Sequence, residues 1–380
     1  MLKAIHIHTD LKFIYGTAKF EGKHFENHIV IIGNPDDYNG SYKKNALFFD
    51  STPKSVHKII ELCTSADLVV LYDLDFIKCK IALGLPAKTK IAWRFFGYEL
   101  YGRKLQLFTS ILTQQASVLN KTQLIKKFLN NIVNSIKNRL KWGFYLKFNF
   151  EEVVNRVNLF MGLIQEEYDY LITRWPNLPI FVRLPIHLTD GCFSEFDLKE
   201  KYIIVGNSRN LYNNHLDVIE IIDASEKQNQ YKFLLLFNYG VESNYSYKVL
   251  DAVRGKKHFK VIDNFMPLHK LNELYQKTSA AVFNGYRQMA LANIFLSLQN
   301  GVKIYLNNKS IVMQWLKNEG FIIYSIDDLA QDLENENIGL SIEEAKYNAE
   351  QFLKMGKSYT IDDFQRALYS LIKESMPDLS

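Results

Sequence analysis

Short apolar runs separated by helix-spaced segments set the pattern of this chain. Leu2–His8, Ile29–Gly33, Leu68–Tyr72 and Ile91–Phe95 read as short buried strands. Lys54–Cys63 has helical spacing between the second and third of them. Tyr168–Thr173 and Ile180–Leu184 supply two further strands, and the alternation predicts a parallel α/β sheet. Pro185 and the segment Leu188–Glu200, with Gly191 and mixed charges, form the expected linker. The pattern then restarts. Strands Tyr202–Val205, Lys232–Phe237, Lys260–Ile262, Ala280–Phe283 and Val302–Leu306 alternate with helices Asn214–Glu226, Ser246–Arg254, Leu268–Thr278 and Met289–Gln299. Ser341–Lys354 and Ile361–Ser375 read as closing helices, and no internal repeat or low-complexity tract is visible.

A length of 380 residues accommodates two such units. We expect a first domain over 1–187, a second over 188–355, and a C-terminal helix within 356–380 that packs back on the first. Two Rossmann-like, doubly wound halves facing a central cleft describe the GT-B glycosyltransferase architecture, which some epimerases and phosphorylases share. Composition agrees: 47% hydrophobic and 23% charged residues make a globular chain with enough apolar mass for real cores. Cys63, Cys79 and Cys192 are odd in number and lack CxxC spacing, which argues against a disulfide scaffold or zinc site and suits a reducing cytoplasm. Met1–His8 reads as a first strand and not a signal peptide, and no apolar run reaches the 18 residues of a spanning helix.

The most informative stretch opens the second unit. The apolar run Tyr202–Val205 enters a Gly206-Asn207-Ser208 turn, and Asn213 and Asn214 offer caps for the periodic run Leu216, Ile219, Ile222. A strand, a small-residue turn and a helix N-terminus together present backbone N–H groups and a positive dipole end, which suits a diphosphate. An ordinary strand–turn–helix has the same spacing.

Charge is concentrated elsewhere. Nine bases lie between Arg103 and Lys147, no acid lies between Glu99 and Glu151, and removing the nine from the formal +5 leaves the remainder at −4. Within Thr122–Phe144, Ile125, Phe128, Leu129, Ile132, Val133, Ile136 and Leu140 form a helical face, with Lys126, Lys127, Lys137 and Arg139 elsewhere on the wheel. Trp142, Phe144, Tyr145 and Phe148 follow as an interfacial set. A basic amphipathic segment over 103–148 that ends in aromatics suits an anionic membrane surface. A helix packed on its own domain, with solvated lysines, is the plainer alternative. Nucleic acid fits less well, because the aromatics follow the bases instead of interleaving with them.

Several blocks carry a resemblance to a known family. Ile5-His6 with Asp10, Phe96-Gly97-Tyr98-Glu99-Leu100-Tyr101, Ile172-Thr173-Arg174, Val205-Gly206-Asn207-Ser208 with Asn213-Asn214-His215, Tyr286-Arg287-Gln288 and Gln299-Asn300-Gly301-Val302 occur in order over roughly residues 5 to 325. They resemble the TDP-N-acetylfucosamine:lipid II N-acetylfucosaminyltransferases, glycosyltransferase family 56, of enterobacterial common antigen synthesis. The second block is similar to that family's Trp-Gly-Ala-Asp-Leu-Tyr, and the Gly-Asn-Ser plus Asn-Asn-His block is the most specific. This chain departs where Glu99 replaces Asp, Tyr98 replaces Ala, and Met289-Ala290-Leu291-Ala292 replaces a glycine-containing stretch. The departures leave donor sugar and acceptor open.

The resemblance implies a metal-independent enzyme with no cofactor, whose C-terminal domain holds a nucleotide-diphosphate sugar as substrate. The candidate donor contacts are Gly206, Asn207, Ser208, Arg209, Asn214, His215, Asn238, Tyr239, Met266, Asn284, Arg287 and Gln288. Asn207 and Ser208 are placed for the diphosphate, and Arg287 for phosphate held bidentately. Arg209 either supplies a cation or is exposed, and Asn214 and His215 either cap the helix or reach the donor. No Glu occurs between Glu273 and Glu319. That absence suits a dTDP donor, whose deoxyribose lacks one hydroxyl for a carboxylate to hold. On the acceptor side Glu99 is favoured over Asp10 as general base, while His6, inside a strand, reads as a core histidine. The expectation is a peripheral enzyme on the inner face of the cytoplasmic membrane. It would move a deoxy-amino hexose such as 4-acetamido-4,6-dideoxygalactose from dTDP to a polyprenyl-diphosphate-linked glycan, in O-antigen or enterobacterial common antigen synthesis. A soluble sugar-nucleotide epimerase and a non-catalytic nucleotide-sugar-binding scaffold are the alternatives.

Overall fold

The computed structural model describes residues 1–38, 40–119, 121–143, 148–186 and 199–374. The expected linker falls almost wholly outside them, as do Phe144, Tyr145, Lys147 and Cys192. The chain forms two compact units, each built on a parallel sheet.

The first unit holds strands β1 (Leu2–His8), β2 (Phe25–Ile32), β3 (Ala46–Phe49), β4 (Leu68–Tyr72), β5 (Lys90–Arg94), β6 (Leu159–Gly162) and β7 (Ile180–Arg183). Their order is β3-β2-β1-β4-β5-β6-β7, so the direction of winding reverses between β1 and β4. At such a switch point the loops diverge and leave a crevice beyond the carboxyl ends of the strands. The inner strands are continuous apolar runs because helices cover both faces of a parallel sheet. The helix Ile361–Glu374 joins this unit. Phe364, Leu368 and Ile372 enter the core beside Phe20, Phe25 and Leu68, and the Gln365 side-chain amide donates to the carbonyls of Lys19 and Glu21 at 3.0 and 2.8 Å.

The second unit has strands β8 (Glu200–Val205), β9 (Lys232–Leu236), β10 (Phe259–Ile262), β11 (Thr278–Phe283), β12 (Lys303–Leu306) and β13 (Tyr324–Ser325), in the order β10-β9-β8-β11-β12-β13. Its switch point lies between β8 and β11. Ile203, Val205, Phe233, Leu235 and Val282 pack one face against Val218, Ile222, Tyr245 and Val249 of two helices, His215–Ala224 and Asn244–Val253. The segment Tyr101–Lys121 also belongs here, although a boundary near 187 assigns it to the first domain. Its short helix Ile111–Ala116 packs on those same two helices.

Among the elements that differ from the sequence reading, three are instructive. Tyr168–Thr173 is not a strand. Gln165–Ile172 is a helix with Glu166 and Glu167 in its first turn, where acids favour the dipole, and the strand is Leu159–Gly162 instead. A six-residue stretch such as Tyr-Asp-Tyr-Leu-Ile-Thr cannot by itself tell the two apart. Strand β3 was unread because its four residues are only partly buried. The helix Phe76–Gly84 was unread too, although Asp75 caps it by accepting from the Lys78 N–H at 2.9 Å.

Phe364 is fully buried, so Phe364→Ala is expected to destabilise the first unit by about 3–5 kcal/mol. Urea denaturation followed by fluorescence measures it. A loss below about 1 kcal/mol would mean that the C-terminal helix is not part of that core.

Candidate active site

In the second unit the chemistry-bearing residues gather at the β8/β11 switch point. Asn214 and Asn284 clasp its two loops. The Asn214 amide donates to the Asn284 carbonyl at 2.9 Å, and the Asn284 amide donates to the Asn214 carbonyl at 3.1 Å. Asn214 Oδ1 accepts from the Ser110 N–H at 2.8 Å, and Asn307 donates to Asn284 Oδ1 at 2.7 Å. Asn214 holds the left-handed backbone (φ 46) at the N-cap position of helix His215–Ala224, yet its side chain makes no cap bond. The capping role therefore does not hold for Asn214. Its side chain is spent on the clasp.

The Gly206-Asn207-Ser208 turn is likewise tied internally. The Gly206 N–H donates to the Val282 carbonyl, the Asn207 N–H to Asn213 Oδ1, the Arg209 N–H to the Tyr239 carbonyl and the Asn210 N–H to Ser208 Oγ. Four of the turn's amides are thereby committed, and Asn213, buried, organises them. Gly206 has φ +67, and a Cβ there would meet His215 Nε2, so glycine is required. His215 is fully buried, its Nδ1 pairs with the Tyr245 hydroxyl at 3.0 Å, and burial lowers its pKa to about 3. It is a neutral packing residue behind the turn. Arg209 is neither free nor merely exposed: Nε donates to the Phe237 carbonyl at 2.9 Å and Nη1 pairs with Glu242 at 3.3 Å.

Arg287 and Gln288 differ. Arg287 is only 9% exposed, and among the described residues it forms no ion pair. Its guanidinium lies over the rings of Tyr212 (4.3 Å) and Tyr101 (5.0 Å), while its Nε and the buried Oε1 of Gln288 have no hydrogen-bond partner. A buried cation held by aromatic faces with an unused donor is costly unless an anion joins it. Three residues after Gln288, the helix Leu291–Gln299 begins after Ala290 (φ 59) with no side-chain cap and no acid in its first turn. Arg287 and that helix N-terminus form the better anion site of this switch point.

Asn238 is half-buried and Tyr239 exposed, past the end of β9. Met266 lines a cavity of about 650 Å³ with Tyr202, Leu234 and Ile262. A second hollow of about 490 Å³ is lined by Ser110, Asp217, Tyr286 and Lys309. There Ser110 Oγ donates to Asp217 Oδ2 at 2.6 Å, and burial raises the Asp217 pKa. Sequence reasoning missed Ser110, Tyr101 and Asp217 as members of this region. The first two lie about a hundred residues upstream, and no local signal marks that return.

In the first unit the β1/β4 switch point gathers a different set. Fully buried Lys78 pairs with Asp73 Oδ1 at 2.8 Å and Asp75 Oδ2 at 2.9 Å, and Thr9 donates to Asp75 Oδ2 at 2.6 Å. Asp73, at φ 75, follows β4 directly. Burial raises its pKa against the opposing effect of Lys78. His8 stacks on Tyr72 at 3.9 Å and His6 pairs with Asn27 at 2.9 Å; burial lowers their pKa values to about 2 and about 4. His6 is a core histidine, as its strand position suggests. Asp10 is half-buried just beyond this cluster.

Glu99 is 6% exposed and accepts from Trp93 Nε1 at 3.1 Å and from the Phe96 N–H at 3.4 Å. Burial, with a smaller contribution from Asp73, raises its pKa to about 7. Glu99 sits in the short helix Tyr98–Tyr101 that follows β5, and a carboxyl poised near neutrality has the protonation behaviour required of a general base. Asp73, Asp75 and Lys78 went unread because no apolar run or motif marks 73–78 in the sequence. Among the described residues no group of three or more His, Cys, Asp or Glu has metal-binding geometry.

The basic segment forms the helix Lys121–Trp142. Trp142 is buried against Phe76 at 5.0 Å, and Phe148 also packs there at 5.8 Å, so these two do not make an interfacial pair. Among the described residues, no helix is long and apolar enough to cross a membrane.

No protein-family model matches this chain, and no curated protein matches it in sequence. Solved structures match its fold. They include the N-terminal domain of Candida albicans trehalose-6-phosphate phosphatase, at 9% identity over 98% of this chain and 97% of that one, TM-score 0.63. Anabaena Alr3699/HepE, in complex with UDP and glucose, matches at 10% identity over 98% and 100%, TM-score 0.62. The pneumococcal O-GlcNAc transferase GtfA, with UDP and GlcNAc, matches at 11% identity over 87% of this chain, TM-score 0.52. This chain spans 61% of that GtfA chain. The likeness is one of fold: two parallel-sheet Rossmann-like units matching GT-B glycosyltransferases.

Glu99 links the site to stability. Its folded pKa of about 7 exceeds the reference 4.5, so the folded state holds the proton more tightly. Stability is full below pH 4.5 and is lost as pH rises through 7, by about 3 kcal/mol. Glu99→Gln should remove that loss. Urea midpoints of both proteins from pH 5 to pH 8 measure it, and a constant difference between them would contradict the burial-raised pKa.

Proposed function

We propose that this protein is a glycosyltransferase that takes its sugar from a nucleotide diphosphate held by the second unit. The buried Arg287 guanidinium carries the reading. It lies at the switch point beside an uncapped helix N-terminus, without a carboxylate partner among the described residues. That arrangement matches the charge of a diphosphate leaving group, whose stabilisation is the main electrostatic demand of glycosyl transfer. The fold likeness to HepE and GtfA, both solved with UDP, supports a nucleotide-sugar donor.

The finer reading is a dTDP-linked deoxy-amino hexose transferred to a polyprenyl-diphosphate-linked glycan, in surface polysaccharide synthesis and without a bound metal. The family 56 blocks support it. So does the absence of any Glu between Glu273 and Glu319, where a ribose-holding carboxylate would otherwise be expected. Arg287 and Gln288 hold the diphosphate in this reading, with Gly206, Asn207 and Ser208 as the wall behind it. Glu99, with its pKa near 7, takes the proton from the acceptor hydroxyl as the glycosidic bond forms and the nucleotide diphosphate leaves.

Calorimetric titration with dTDP, UDP, GDP and CMP in EDTA is the direct test. We expect dTDP to bind, and Arg287→Ala to weaken it by about 10- to 100-fold, the worth of a charge-assisted hydrogen bond. Tighter binding of UDP would retain the glycosyltransferase and discard the thymidine donor; binding of none would discard both. Glu99→Gln should leave nucleotide binding unchanged and cut transfer by about 100- to 10,000-fold. Near-full turnover would remove Glu99 from the mechanism.

A further inference from the structure

The helix Lys121–Trp142 exposes what a helix in water normally hides. Leu124, Ile125, Phe128, Leu129, Ile132, Val133, Ile136 and Leu140 are each 41% to 83% exposed, although they recur at helical spacing. At about 100° per residue these eight fall within one half of the circumference. Lys126, Lys137 and Lys141 occupy the opposite half with Asn130, Asn134 and Asn138. Arg139 lies inside the apolar arc, in the last turn, where a long side chain can snorkel to the edge. Trp142 fixes the C-terminal end of the helix to the first unit through Phe76.

An uncovered apolar face of this size marks an interaction surface. Its charge selects the partner. No acid occurs between Glu99 and Glu151, so every ionised group on the helix is positive. Two copies packed through this face would bring like charges together with no counter-ion from either helix, whereas an anionic bilayer supplies the counter-charge and the apolar phase at once. A length of about 33 Å would span a bilayer, but the polar half of the wheel forbids it.

The geometry points to this helix as an in-plane anchor that seats the first unit on an anionic lipid surface, its apolar half among the acyl chains and its lysines at the headgroups. The inference deepens the lipid-linked acceptor reading above and rests on it for its purpose: an anchored enzyme meets a polyprenyl-linked substrate in two dimensions.

Co-sedimentation of the full chain with phosphatidylglycerol–phosphatidylcholine vesicles and with phosphatidylcholine alone tests it. Binding should need the anionic lipid and weaken with salt. A variant carrying Lys126→Gln, Lys137→Gln, Arg139→Gln and Lys141→Gln should lose on the order of 100- to 1,000-fold in partitioning. Phe128→Asp with Ile132→Asp should also abolish binding. All these positions are exposed, so circular dichroism and the melting transition should not change. No vesicle binding by the wild type, or equal binding to phosphatidylcholine alone, overturns the inference. So does a stable dimer, seen by light scattering, that Phe128→Asp with Ile132→Asp dissolves. Nucleotide titration of the same samples reports separately on the donor site, so a chain that binds vesicles and no nucleotide loses the function and keeps the anchor.

Discussion

The exchange of amide hydrogen bonds between Asn214 and Asn284 is the contact on which the second unit's site depends. It joins the loop after β8 to the loop after β11 across the place where the sheet reverses its winding. Both side chains are buried, so losing either partner strands amide and carbonyl groups away from water, at roughly 1–3 kcal/mol each. The clasp also decides which groups are left over. It uses the Asn214 and Asn284 side chains, while the amides of the glycine turn go to Val282, Asn213, Tyr239 and Ser208. Among the described residues, Arg287 Nε is left without a hydrogen-bond partner and the helix Leu291–Gln299 without a side-chain cap.

The first unit solves a different electrostatic problem. Lys78 is buried completely, which is tolerable only because Asp73, Asp75 and Thr9 surround its ammonium. Glu99 nearby keeps its proton up to about pH 7 mainly because it is buried, with a smaller contribution from Asp73. His6 and His8 stay neutral beneath it. The carboxyl edge of this sheet therefore carries a buried carboxyl that titrates near neutrality, and that of the second a buried guanidinium.

The basic helix belongs to neither task. Its exposed apolar half lies outside both cores, and Trp142 packs its C-terminal end against Phe76. A segment that keeps eight large apolar side chains in water is a cost to the isolated protein, about 0.8 kcal/mol per exposed CH₂ left unburied. Such a cost is retained where another surface removes it.

The fold class was legible in the sequence because buried parallel strands are unbroken apolar runs, and most of them fall within a residue or two of where the spacing puts them. Tyr168–Thr173 misled because so short a stretch has no period of its own. The site was legible in part. Arg287, Gln288, Gly206 and Glu99 were all singled out, but the sequence could not rank them, since rank depends on which groups other loops consume. Arg209, His215 and Asn214 looked like ligand residues, and the structure gives each a hydrogen-bond partner some 28 to 70 residues away, with only Nδ1 of the His215 ring paired. The return of Tyr101–Lys121 to the second unit had no sequence signal, since nothing local records which core a short helix will join. Local periodicity determined the elements and the sheet type. Tertiary packing decided which polar atoms were left without partners, because hydrogen-bond satisfaction is a property of all the neighbours at once.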